Sequence, residues 1–213
     1  MPLQNRVTPS GDFVATLARG TLMGNRGRLH NTSQQIMRSF ELKRWITCDL
    51  SFNGIKRQLM SPNSYTELFF LDEATAYASG HRPCAECRRG AYQYFIKIWQ
   101  RTFPNEPKPT AQIIDARLHA SRLDGNRQKR LWKASLGSLP EGTIIRYKQD
   151  YVLLWQKRLW IWSFEGYRLL EERFPPEQEV EVVTPELVVK LFAAGLNATF
   201  EIKLPKDKSI LQG

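Results

Sequence analysis

The sequence predicts an α+β fold, with antiparallel hairpins and several helices around a Cys-x-x-Cys zinc knuckle. Three observations carry that expectation. Residues 13–60 and 143–162 hold runs of β-branched and aromatic residues separated by turn chemistry. Several other segments place apolar residues at helical spacing between recognisable caps. Between these regions stands Gly80-His81-Arg82-Pro83-Cys84-Ala85-Glu86-Cys87-Arg88-Arg89. There a Gly and a Pro shape a turn, and two thiolates at that spacing can face one tetrahedral Zn²⁺ at about 2.3 Å. The chain reads as one compact domain, 1–213. A possible subdivision falls between a knuckle half, 1–103, and a helix and hairpin half, 110–205.

In chain order, 13–17 and 44–52 are β-rich. Between them lies Gly20 to His30, a glycine-punctuated basic stretch that reads as a loop. Asn53-Gly54 is a strong hairpin signal, with 55–60 as the returning strand. Tyr65 to Leu71 reads as a strand, and Asp72 as the cap of a helix from Glu73 to Ser79 that stops at Gly80. Residues 88–103 form an amphipathic helix, since Tyr92, Phe95, Ile96 and Trp99 share a face. Thr110 caps a helix over 111–123, and a second helical run spans 127–136. Residues 143–147, 151–155 and 159–162 read as hairpin strands, and 180–183 as another. Thr184-Pro185-Glu186 opens a last helix, closed by Gly195, and the final ten residues read as frayed.

Composition narrows the function. The chain has 213 residues, 42% of them hydrophobic, enough for a core. Lys and Arg total 31 against 21 Asp and Glu, a formal charge of +10. That field favours a polyanion as partner, DNA first. Three cysteines and no apolar leader predict a cytoplasmic chain with reduced thiols, and no apolar run predicts a membrane span.

A zinc site needs three or four ligands. Cys48, Cys84 and Cys87 supply three, although Cys48 also fits a buried strand position. His30 or His119 is the expected fourth, with His30 placed in the proposed set; spacing does not choose between them. Pro83-Cys84-x-x-Cys87 matches half of the zinc-deaminase signature. No candidate ligand has a Glu two residues on, so deamination is discounted.

Residues 66–87, from Thr66 through the Ala74-x-Ala76-x-Ala78-Ser79-Gly80 helix to His81-Arg82-Pro83-Cys84-x-x-Cys87, resemble the second half of the Ada-type metal-binding domain. The resemblance implies a small α/β zinc module that contacts DNA phosphates. In that family four cysteines hold the metal, and one accepts a methyl group from a methylphosphotriester. Here only Cys48 stands in for the family's first cysteine pair, and His81 takes an aromatic position. A methyl acceptor would map at best onto Cys48, so suicidal methyl transfer is not the leading expectation.

Asp115 and His119 lie four apart on the predicted third helix and so on one face. A carboxylate beside a His suits acid–base chemistry, and they are the expected catalytic pair. Arg26, Arg28, Arg44, Arg88, Arg89, Arg117 and Arg122 are the expected phosphate contacts, with Trp45 and Tyr65 available to stack on bases. Together these features predict a zinc-containing enzyme acting on damaged or modified DNA, with base excision as its chemistry. The alternatives are a non-catalytic Ada-like DNA-binding or regulatory protein, and a nuclease.

Overall fold

A six-residue helix, α1 (Glu73–Ala78), lies where three hydrophobic clusters meet. Ala74 and Ala78 pack on one sheet, Ala76 on another, and Tyr77 on a group of three helices. Neighbours on every side leave room for little more than methyl groups, which explains the alanine spacing. The computed structural model describes residues 1–51, 54 and 58–205.

The first sheet comprises β1 (Gln4–Val7), β2 (Phe13–Ala15), β3 (Leu22–Asn25), β4 (Ile46–Cys48), β5 (Leu68–Phe70) and β6 (Arg82–Pro83), in the order β2-β1-β5-β3-β4-β6. It is mixed: β1 with β5 and β4 with β6 run parallel, the other pairs antiparallel. Three helices follow in sequence or pack nearby: α2 (Arg89–Thr102), α3 (Ala111–Arg122) and α4 (Glu186–Ala193). Phe95, Trp99, Ile114, Leu118, Val188 and Leu191 bind them into one cluster with Tyr77.

The second sheet is fully antiparallel. It contains β7 (Trp132–Ser135), β8 (Ile144–Tyr147), β9 (Asp150–Trp155), β10 (Arg158–Ser163), β11 (Gly166–Leu170) and β12 (Glu179–Val182), ordered β11-β10-β9-β8-β12-β7. The pleat sends Ile144, Leu153, Trp160 and Tyr167 toward α1, and Ile145, Val152 and Val182 toward α4. Gln156 and Lys157, both at positive φ, make the two-residue turn between β9 and β10. The architecture is thus α+β, as expected.

Local caps agree with the sequence. Asp72 accepts from the Thr75 amide at 2.9 Å, and Thr110 from the Ile113 amide at 3.3 Å. Trp162 Nε1 donates to Thr75 Oγ1 at 2.9 Å, tying the α1 cap to the second sheet. Gly80 closes the helix at φ +90°; a Cβ there would lie 2.5 Å from Arg122 Cδ.

Two expectations need correction. The stretch Gly20 to His30 is not all loop, because it contains β3. Gly24 is required in that strand, since a Cβ would sit 2.2 Å from the Ile46 carbonyl oxygen. Residues 127–136 do not resume a helix: 132–135 form β7, which pairs with β12 from Val182↔Trp132 to Glu179↔Ser135. Pairing with a partner some fifty residues away overrides local helix propensity. The Asn53-Gly54 hairpin and the frayed terminus fall mostly outside the described residues. Among the described residues no helix is long and apolar enough to cross a membrane.

Candidate metal centre

The parallel pairing of β4 with β6 decides where the cysteines go. Ile46 is opposite Arg82 and Thr47 opposite Pro83. The Arg82 amide donates to Trp45 O at 3.1 Å and the Cys84 amide to Thr47 O at 2.8 Å. One step further along this register lie Cys48 and Cys84, and the turn after Cys84 returns Cys87 to the same point. The three Sγ atoms all lie within 4.8 Å of one another, close enough to hold one metal ion. Cys48 is buried; Cys84 and Cys87 are half-buried.

The centre is built to favour a thiolate. The neighbouring Cys48 thiol lowers the pKa of Cys84 to about 4; amides of Glu86 and Cys87 add to this against the cost of burial. Glu86 N lies 3.5 Å from Cys84 Sγ. The same contact, with burial, pushes the Cys48 thiol up, and burial pushes Cys87 up.

Arg88 follows Cys87 and folds back over the centre's edge. It donates to Thr47 Oγ1 at 3.0 Å and Glu73 Oε1 at 2.5 Å, and its Nε lies 3.5 Å from Asp49 Oδ1. It was expected to meet phosphate; two carboxylates already engage it.

The expected catalytic pair does not form. Asp115 makes a bidentate ion pair with Arg82, at 2.8 Å for both Nε–Oδ1 and Nη2–Oδ2. The side chains are 2% (Arg82) and 10% (Asp115) exposed, so this carboxylate is committed to holding β6. Arg82 is the residue that sequence reasoning missed, although it stands inside the Gly80 to Arg89 segment. His119 faces another way: its Nδ1 accepts from Arg122 Nη2 at 2.9 Å, and its ring stands edge-on to Phe40 and Trp45. Burial and the cations Arg122, Lys43 and Arg127 lower its pKa to about 4.

Neither proposed histidine reaches the cysteines. Both ring nitrogens of buried His30 are taken, by Thr66 Oγ1 at 2.6 Å and the Ser61 carbonyl at 3.1 Å. His30 is therefore a core histidine rather than part of the cysteine cluster.

Three expected nucleic-acid contacts are interior. Arg26 and Arg122 are each 1% exposed and Trp45 3%. The guanidinium carbons lie 3.9 Å and 3.8 Å from the Trp45 ring centroid. Two groups that close to one centroid must occupy opposite faces, so Trp45 is sandwiched between two cations. Arg26 also donates to His81 Nε2 at 3.2 Å, and Arg122 to Gly80 O at 2.8 Å. This column of stacked charge fastens β3, β4 and α3 together. Arg28, Arg44 and Arg89 are exposed, as expected of phosphate contacts, and Tyr65 is half-buried. Arg117 is half-buried, paired with Glu106 and stacked over Phe103.

The positive charge is unevenly shared. Residues 1–130 hold 20 Lys and Arg against 10 Asp and Glu, whereas 131–213 hold 11 of each. The entire net charge belongs to the part that carries the cysteines. Comparison with family models, with curated proteins and with solved structures gave no match for this chain.

Proposed function

We propose that this chain is a DNA-binding protein whose basic half is stapled by one zinc ion on Cys48, Cys84 and Cys87. The observation that carries it is the confinement of the net charge of +10 to residues 1–130, the part of the sequence that carries the three cysteines, beside a neutral remainder. Tetrahedral zinc holds thiolates about 3.8 Å apart, from a bond of about 2.3 Å. The observed separations fit that with little movement. Zinc would supply a cross-link between β4 and the turn after β6, and with it folding free energy.

The chain's residues then divide the work. Asp115 and Arg82 hold β6 against α3, and Arg88 braces the turn through Glu73 and Asp49. Arg44, four residues before Cys48, and Arg89, two after Cys87, remain exposed and take phosphates. The resemblance of residues 66–87 to the Ada-type segment supports DNA as the polyanion. Binding is favoured over base excision because the carboxylate expected to do that chemistry, Asp115, is locked in its ion pair.

The test is fluorescence anisotropy with a labelled duplex over a salt series, followed by alkali treatment of the DNA. Binding that weakens steeply with salt, without alkali-sensitive sites, is expected. Replacing Arg44 or Arg89 by Ala should reduce the log–log salt slope by about 1 each. Abasic sites would restore base excision; salt-insensitive or absent binding would remove DNA as the partner.

A further inference from the structure

Among the described residues, three metal-ligating side chains come together. The chain has three cysteines and three histidines, none of them outside the described residues. All three cysteines are in the cluster. His30 is held by Thr66 and Ser61. His81 is 1% exposed, accepts from Arg26 at 3.2 Å and shares a 2.9 Å bond with Ser79. His119 accepts from Arg122.

Carboxylates do not fill the gap. No Asp or Glu joins the three sulfurs among the described residues. The two nearest in sequence stand outside the cluster. Asp49 gives its amide to Cys87 and faces Arg88 with its carboxylate. Glu86 gives its amide to Cys84 and is exposed. Outside the described residues the sequence adds one carboxylate, Asp207.

We infer that the centre is an open one: a metal held by three thiolates of this chain, with its fourth position taken by a soft anionic donor from outside, a free thiol. The inference rests on the metal reading above. Three protein ligands with a free fourth position is the pattern of zinc sites that bind exogenous ligands, and such an ion still cross-links the elements that hold it. Soft thiolate surroundings suit a soft incoming donor.

An outside donor can approach from solvent. Cys84 and Cys87 are half-exposed, so the centre is within reach of solvent.

The experiment uses the full chain, purified without thiols, with Co²⁺ exchanged for the native metal. The visible absorption of Co²⁺ is then followed during titration with 2-mercaptoethanol. A saturable shift of the bands at one thiol per metal is expected. The unliganded spectrum should be the same in His30→Gln, His119→Gln, Asp49→Asn, Glu86→Gln and Asp207→Asn. Bands that ignore the thiol overturn the inference, as does a spectrum altered by one of these variants or by protein concentration, because each reveals a fourth ligand from this or a second chain. The thiol titration needs only the wild-type chain, so a misfolded variant does not weaken the test. If Co²⁺ does not bind at all, the metal reading itself fails and takes the inference with it; a bound but thiol-insensitive ion refutes the open site alone.

Discussion

Replacing Asp115 by Ala should unfold this protein at much lower denaturant, because the residue's task is to neutralise Arg82. The two side chains share two hydrogen bonds of 2.8 Å at 2% and 10% exposure. Removing one member of such a buried pair leaves the other charge without a partner and costs about 3–5 kcal/mol. With a urea dependence of about 2 kcal/mol per M for a small protein, the midpoint falls by about 1.5–2.5 M. Equilibrium urea unfolding of the metal-loaded protein, followed by tryptophan fluorescence, reads this directly. Arg82 donates its backbone amide to Trp45 and starts the run into Cys84, so metal retention should weaken in parallel. The double replacement Arg82→Met with Asp115→Leu should recover most of the loss, since an apolar pair of similar volume avoids the desolvation cost. A single Asp115→Ala variant within about 0.5 kcal/mol of wild type would refute the reasoning. If that variant also lost a DNA-directed activity, a catalytic role for Asp115 would return.

Trp45→Ala should cost about 3–5 kcal/mol in the same assay, from the cavity and from two guanidiniums left without the ring between them; a loss below about 1 kcal/mol would show that the sandwich contributes little. Stability should also fall as pH drops from about 6.5 toward about 4. Burial and neighbouring cations depress His119 to about 4 and hold His81 well below its ordinary value. The unfolded chain, with histidines near 6.5, therefore binds more protons across that window and gains at the expense of the fold. Above pH 6.5 this contribution is constant. Urea midpoints between pH 7 and 4.5 should show a shallower fall in His119→Gln than in wild type, and equal slopes would contradict the assignment.

The parts of the fold written in local chemistry were legible. Alternating residues over 143–162 gave the hairpin strands, and Asp72, Thr110 and Gly195 gave helix boundaries that stand within a residue or two. The parts set by distant partners were not. The stretch around Gly24 reads as loop because glycine normally weakens strands, yet it lies under the Ile46 carbonyl, where only glycine fits. Lys133 to Ser135 gives no strand signal until β12 lies beside it.

The site divides in the same way. The pair Cys84 and Cys87 announces itself by spacing, whereas Cys48 joins it only through a parallel two-residue pairing that no local pattern records. Arginine is ordinarily a surface residue, so sequence places Arg26 and Arg122 outside; their stacking on Trp45 is a tertiary fact. The spacing of Asp115 and His119 correctly gives one helix, but not the two different arginines, Arg82 and Arg122, that draw them apart.

The most direct test of the account is elemental analysis of the purified chain beside its three single Cys→Ser variants. One zinc per chain in the wild type is predicted, lost or sharply reduced in Cys48→Ser as fully as in Cys84→Ser and Cys87→Ser. A wild-type chain without metal, or a Cys48→Ser chain that keeps its zinc, would contradict the three-thiolate centre on which the rest is built.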